Sequence, residues 1–112
     1  MRISADLLRG YTDTILLAQL SGEDSYGYRL SKRISEESRG EVDLKEATLY
    51  TAFRRLENGG YIRSYWGDES TGARRRYYAL TDLGRLKLEE DRQAWRETRV
   101  TMDRLIGDPG IL

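Results

Sequence analysis

Apolar residues recur at three- and four-residue intervals in four stretches of the chain, and this spacing predicts four helices. The first is predicted over residues 6–20 and carries few charges, so we expect it to be buried on more than one side. The second is predicted over residues 25–37, with Ser25 as a candidate N-cap. Residues 38–42 form a short connector in which Val42 is a candidate for a one-residue strand.

The third helix, predicted over residues 46–58, is amphipathic. Its apolar stripe consists of Leu49, Phe53 and Leu56, and Asp43 is a candidate N-cap. The glycine pair at 59–60 predicts the helix end, because the residue that follows a C-cap often takes a positive φ. Together with the second helix it forms a helix-turn-helix pattern, which many small helical domains share.

The opposite face of the third helix carries short hydroxyls and long cations side by side. These residues are Lys45, Thr48, Thr51, Arg54 and Arg55. Such groups suit contacts with phosphates and base edges, so the helix is a candidate groove reader. An ordinary solvated helix face has the same composition, and this alternative stays open.

Two β-prone runs, residues 61–66 and 74–80, flank a turn predicted at residues 67–72, and together they predict a hairpin. Because strand side chains alternate, Arg74 and Arg76 share one face while Arg75 lies on the other. An arginine-rich hairpin directly after a helix-turn-helix is typical of a DNA-contacting wing. The alternative is an edge hairpin whose charges deter aggregation.

The last helix is predicted to begin at the cap pair Thr81-Asp82 and to end near Ile106. Its apolar seam consists of Leu88, Trp95, Met102, Leu105 and Ile106. Little of the domain remains to cover this seam, so it predicts a two-fold homodimer with those residues at the interface. Trp95 is then either a packed interface anchor or a flat wall for an aromatic ligand at the dimer centre.

Composition excludes several classes of function. A chain of 112 residues with 34% charged residues is expected to form one folded domain. It has neither histidine nor cysteine, and no phosphate-cradling glycine loop, so we expect no enzyme, no metal site and no cofactor. No apolar run approaches the roughly 20 residues that span a bilayer, and we expect a cytoplasmic protein without membrane contact. Because the formal net charge is zero, nucleic-acid binding must depend on local charge.

The chain resembles the PadR family of bacterial winged-helix transcription regulators. The resemblance is carried by LLRGYTDTILLAQL (7–20), YGYRLSKRI (26–34), TLYTAFRRLENGGYI (48–62) and GARRRYYALTDLGR (72–85). It implies an α+β, mainly α fold, with a winged helix-turn-helix domain at residues 1–82 and a C-terminal dimerisation helix and tail at 83–112. The single long helix at the end is similar to that of the short subgroup, which includes multidrug-sensing members.

The family resemblance also implies roles for particular residues. It implies a homodimeric repressor on a palindromic DNA operator, released by a small molecule. The implied DNA contacts are Tyr26, Tyr28, Lys45, Thr48, Tyr50, Thr51, Arg54, Arg74 and Arg76. In multidrug-sensing members a tryptophan of the last helix stacks planar drugs, which makes Trp95, with Leu8 and Met102, the candidate contacts of an aromatic inducer. The alternative function is a winged-helix module that binds protein instead of DNA, and net neutrality favours it.

Overall fold

The computed structural model describes residues 2–67 and 74–107. The elements in chain order are α1 (Ala5–Leu8), α2 (Thr12–Leu20), β1 (Ser25–Tyr26), α3 (Gly27–Glu37), α4 (Glu46–Asn58), β2 (Ile62–Trp66), β3 (Arg76–Leu80) and α5 (Asp82–Ile106). Helices α2 to α4 enclose one apolar core, and the small sheet and the start of α5 complete it. This arrangement confirms the predicted mainly helical α+β fold, a winged helix-turn-helix with a long C-terminal helix.

The first predicted helix is two helices. It is interrupted near Gly10, and α2 begins at Thr12, whose hydroxyl donates to the Leu8 carbonyl oxygen at 2.9 Å. A continuous helix over residues 6–20 was therefore wrong, because side-chain capping and a glycine stop the first turn early. The expected burial on more than one side is confirmed, since no residue of α2 is exposed.

The sheet has the strand order β1-β3-β2, with both neighbouring pairs antiparallel. The two-residue strand β1 was not predicted, and it places Tyr26 opposite Tyr77 of the central strand. Ser25 is consequently not a helix N-cap. Its hydroxyl lies in the core and accepts a hydrogen bond from Nε of Arg29 at 2.9 Å. Val42 is buried, but it belongs to a connector rather than to a strand.

Helix α4 has the predicted bounds, but its N-cap is not the predicted residue. Its N-cap is Lys45, which makes no side-chain cap, while the Asp43 carboxylate accepts a hydrogen bond from Arg2 at 2.7 Å. The predicted glycine stop is confirmed, because Gly59 caps α4 and Gly60 follows with a φ of 79°. The positive φ turns the chain directly into β2.

The wing hairpin is shorter than predicted at both strands. Strand β2 begins at Ile62 and β3 at Arg76, and Tyr65 pairs with Tyr77 across them. The predicted turn lies mostly outside the described residues, which end at Gly67 and resume at Arg74.

Helix α5 has two halves with different surroundings. Thr81 caps it as predicted, accepting from the Gly84 amide at 3.0 Å, and Gly84 and Leu88 are buried in the core. Every residue from Arg92 to Ile106 is exposed. The division into residues 1–82 and 83–112 stays a prediction, and the first turns of α5 belong to the body of the winged helix.

Candidate nucleic-acid interface and apolar groove

The outward face of α4 is polar and accessible. Burial of Leu49, Phe53 and Leu56 against the core turns the other side of the helix outward, as the apolar stripe predicted. Exposed side chains on that side are Lys45, Thr48, Thr51 and Arg54, and Tyr50 is partly exposed beside them. The sequence-predicted groove-reading residues therefore share one surface.

The neighbouring arginines of α4 differ in their surroundings. Nε and Nη2 of Arg55 donate to the two carboxylate oxygens of Asp13 at 3.0 and 2.5 Å, so Arg55 ties α4 to α2. This hydrogen-bonded pairing raises the pKa of Arg55, although partial burial opposes it. The guanidinium of Arg54 makes no ion pair or hydrogen bond with any residue of 2–67 or 74–107. Arg54 is therefore available to a phosphate or a base, and Arg55 is committed to the fold.

The start of α3 packs closely against α4. A Cβ at Gly27 would lie 2.9 Å from the Tyr50 hydroxyl oxygen, so only glycine allows this approach without a shift. The next residue, Tyr28, is 73% exposed, so most of its side chain is open to solvent.

Tyr26 is the last residue of β1, a strand that was not predicted, and it is also the N-cap of α3; its side chain is half-buried. Its ring meets Tyr77 edge to face at a centroid distance of 5.3 Å, and the guanidinium carbons of Arg29 and Arg75 lie 5.0 and 4.8 Å from its centroid. Tyr26 thus joins β1, α3 and the wing, and less of its ring is open to DNA than that of Tyr28.

The two faces of the wing carry different clusters, as alternation predicted. The guanidinium carbons of Arg74 and Arg76 lie 5.3 and 5.8 Å from the centroid of exposed Trp66. Arg75 lies over Tyr26 on the opposite face. Arg76 also contacts Glu57 of α4 at 3.6 Å and donates to the Ser64 hydroxyl at 2.7 Å. Of the two wing cations predicted to contact DNA, Arg76 is therefore already paired within the protein.

A second attachment holds the opposite face of the wing. The Tyr65 hydroxyl donates to Asp24 at 2.6 Å, and its ring stacks on Tyr77 with centroids 5.6 Å apart. This hydrogen bond to a carboxylate is the main cause of the raised pKa of Tyr65. The wing is thus anchored to the turn before β1 as well as to α4.

An apolar groove of about 460 Å³ lies between the N-terminal segment, α2 and α5. Leu8, Tyr11, Ile15 and Trp95 line it, and Tyr11 meets Trp95 edge to face. Polar groups at its edge are linked, since the Thr14 hydroxyl donates to Asp91 at 2.9 Å. Of the residues predicted to bind a ligand, Leu8 and Trp95 line this groove.

The remaining predicted residues of α5 fall into two groups. Met102, also a predicted ligand contact, lies further along α5 than the groove and does not line it within one protomer. Met102, Leu105 and Ile106 are exposed, the last two by about three quarters. The predicted place of Leu88 in the dimer interface is wrong, because this residue is 2% exposed in the protomer's own core and has almost no surface for a partner.

No cluster of three or more potential metal-ligating side chains occurs among residues 2–67 and 74–107. No helix within the same ranges has the length and apolar character to cross a membrane.

The chain is similar in sequence and in fold to known transcriptional regulators. A family model described as "Transcriptional regulator PadR-like family" matches residues 16–90. An uncharacterised protein of Lysinibacillus sphaericus is 40% identical over 101 residues, covering 90% of this chain and 93% of that one. A solved transcriptional regulator of Clostridium thermocellum is 43% identical, with a TM-score of 0.84 and coverage of 91% and 96%. A PadR family transcription regulator of Clostridium difficile is 38% identical, with a TM-score of 0.77 and coverage of 87% and 99%.

Proposed function

The chain belongs to the PadR-like family of transcriptional regulators, and we propose that it is a repressor that binds a palindromic operator as a homodimer and is released by a small, planar aromatic ligand. The family consists of DNA-binding regulators rather than enzymes. Repression, the dimer and the ligand are our inferences about this member of the family, and each depends on a different part of the molecule.

The observation that carries DNA binding is the exposed polar face of α4. Thr48, Thr51 and Arg54 stand outward, and the guanidinium of Arg54 has no carboxylate partner among residues 2–67 and 74–107. A helix with free donors and hydroxyls fits the major groove and can read base edges there. The formal neutrality of the chain does not oppose this function, because the free cation lies on the reading face itself.

The proposed contacts divide into base readers and phosphate holders. Side chains of α4 and its N-terminus read or approach bases, and the start of α3 and the wing hold phosphates and fix the register. The proposed contacts are Tyr26, Tyr28, Lys45, Thr48, Tyr50, Thr51, Arg54, Arg74 and Arg76. Among them Tyr28, Arg54 and Arg74 are exposed, whereas Tyr26 is half-buried and Arg76 is paired with Glu57.

The proposed dimer covers the exposed half of α5. Leu105, Ile106 and Met102 would lose water contact against a second copy of the chain, and so would the exposed Leu7 of α1. A two-fold axis between the copies places two α4 helices at two half-sites, and the operator would then be palindromic.

The ligand proposal depends on the groove beside Trp95. A groove of about 460 Å³ with apolar walls and a few polar groups at its edge has the size and character of a small-molecule site. The groove is open within one protomer, and a partner's α5 would close it and could bring a second tryptophan opposite the first. A planar ligand between the two rings would change the separation of the two α4 helices and weaken operator binding.

The test is selection of duplexes from a random 30-base-pair library, followed by affinity measurement at several salt concentrations. A palindromic consensus, and an affinity that falls steeply with salt because counterions are released, would support the proposal. If no sequence were enriched from the library, or if the affinity for DNA did not change with salt, the alternative of a winged-helix module that binds protein would be favoured. The formal net charge of zero is the observation that supports this alternative.

A further inference from the structure

Three side chains connect the end of the reading helix with the wing. The Ser64 hydroxyl of β2 donates to Oε2 of Glu57 at 2.5 Å and accepts from Nη2 of Arg76 at 2.7 Å. The same Nη2 lies 3.6 Å from Oε1 of Glu57. Glu57 lies in the last turn of α4, and Arg76 is the first residue of β3. The cluster therefore spans the gap between the two DNA-facing elements.

The carboxylate of Glu57 lies where its charge would weaken DNA binding. Glu57 is partly exposed between α4 and the wing, and its charge repels phosphates that run between the two elements. Nη2 of Arg76 is directed to Ser64 and Glu57, so a phosphate would have to use the other donors of the guanidinium or displace Nη2 from this cluster.

We propose that Glu57, Ser64 and Arg76 form a latch that fixes the spacing between α4 and the wing, so that Arg76 is a positioning residue and not a phosphate contact. Glu57 then determines specificity, because it sets where the wing meets DNA when α4 lies in the major groove. This inference rests on the proposed DNA-binding function and changes the role of one of its residues.

The layer beneath the latch makes this spacing stiff. The rings of Phe53 and Tyr78 stack with centroids 4.0 Å apart and planes 17° apart, and they join α4 to β3. Outside that layer, the latch links α4 to one face of the wing, and Tyr65 holds the other face to Asp24. Loss of the latch would let the wing tilt away from α4 while the hairpin stays paired.

The deciding variant is Glu57→Gln, because two explanations predict opposite signs. If Arg76 is a phosphate contact that Glu57 merely weakens, removing the negative charge tightens binding to every duplex. If the latch positions the wing, Glu57→Gln weakens binding to a duplex selected by the wild-type protein, by about three- to tenfold, as expected for a partly exposed ion pair with a bridging hydroxyl. The ratio of the affinity for the selected duplex to that for a scrambled duplex of equal length would then fall.

Arg76→Gln supplies the salt dependence. A positioning role leaves the slope of log affinity against log salt at its wild-type value, and a lost phosphate contact lowers it by about 0.9 per contact. The double variant Glu57→Gln/Arg76→Gln should bind the selected duplex no more weakly than either single variant, because both remove the same link. Melting temperatures of all variants separate a moved wing from partial unfolding.

Exchange of the two charges completes the test. Glu57→Arg/Arg76→Glu keeps an ion pair that Ser64 can still bridge, and it should recover most of the selected-duplex affinity that Arg76→Glu alone loses. Tighter binding by Glu57→Gln, a reduced slope in Arg76→Gln, or no recovery on exchange would each overturn the latch. Failure of the wild-type protein to select any duplex would instead overturn the proposed DNA-binding function.

Discussion

The rings of Tyr11 and Trp95 meet edge to face, with centroids 5.2 Å apart and planes at 79°. This contact joins the N-cap of α2 to the exposed half of α5 at the wall of the apolar groove. The tryptophan is nevertheless 44% exposed, so much of its ring is covered by neither Tyr11 nor the rest of the protomer. An aromatic ligand or a partner's side chain can stack there.

We expect planar aromatic compounds to quench the fluorescence of Trp95 saturably. Trp66→Phe removes the second tryptophan, so the emission then reports on Trp95 alone. In Trp95→Ala the response of the remaining tryptophan should vanish for the same compounds. Quenching that persists in Trp95→Ala would place the ligand elsewhere. No response to any compound of a broad panel would leave Trp95 as a packing residue of the interface.

The adjacent arginines of α4 should respond to substitution in different ways. Arg54→Ala removes a free cation from the reading face, so it should weaken binding to a selected duplex about tenfold and leave stability nearly unchanged. Arg55→Ala breaks the bidentate pair with Asp13 and should lower the free energy of unfolding by about 1 kcal/mol, with the smaller effect on DNA. Chemical denaturation and fluorescence anisotropy measure the two quantities. Arg85→Ala, at an exposed site on α5, is the matched control. Equal losses of affinity in both α4 variants would contradict the assignment.

Local signals were enough to predict the reading helix and the wing. The stripe from Leu49 to Leu56, the glycine pair and the alternation around Arg75 each depend on neighbours in sequence, and the structure confirms them. Whether Arg55 and Arg76 are free depends on Asp13 and Glu57, which only the fold brings near. The burial of Leu88 was missed for the same reason, because the seven-residue spacing of the seam of α5 contains no information about which half of the helix meets the core. The DNA and ligand contacts themselves stay predictions.

Gly84→Ala should destabilise the protein strongly. A Cβ at this position would overlap the carbonyl oxygen of Tyr61 and lie 2.7 Å from a methyl carbon of Leu80. The obstacle is backbone, and Thr81 fixes it through hydrogen bonds to Gly60 and to the Gly84 amide. We expect a loss of about 3 kcal/mol in the free energy of unfolding, at the upper end for overpacking.

Gly22→Ala is the control for this substitution, since nothing lies within 4 Å of its Cβ position. Thermal and chemical denaturation of both variants should show a large change at Gly84 and almost none at Gly22. A mild effect at Gly84 would mean that α5 can move away from the turn after α4.

Alkaline pH should release the wing from Asp24. The pKa of Tyr65 is raised, chiefly because its hydroxyl donates to the Asp24 carboxylate, so the folded state favours the neutral phenol. The stabilisation is then fully present below the ordinary tyrosine pKa of 10.0 and is lost as pH rises through the higher folded value. Above pH 10.0 the melting temperature of the wild-type protein should fall more steeply with rising pH than that of Tyr65→Phe. Parallel curves would show that this hydrogen bond contributes nothing to the pH dependence.

The exposed end of α5 should control both assembly and DNA affinity. Leu105 and Ile106 are about three quarters exposed, and desolvation of both in a dimer would contribute about 1.5–3 kcal/mol for each side chain on each protomer. A charge at either site would have to be buried without a partner, so Leu105→Glu should shift the protein to monomer in sedimentation equilibrium.

Leu86→Glu is the matched control for this prediction, because Leu86 is also largely exposed but lies on the half of α5 that packs against its own protomer. This variant should remain dimeric. The monomer of Leu105→Glu keeps an intact reading helix, so it should bind a single half-site with its intrinsic affinity while losing the gain from joining two half-sites, about 10²-fold or more. A monomeric variant that bound the full palindrome as tightly as wild type would separate dimerisation from operator recognition. A dimeric Leu105→Glu would move the interface to another face of α5.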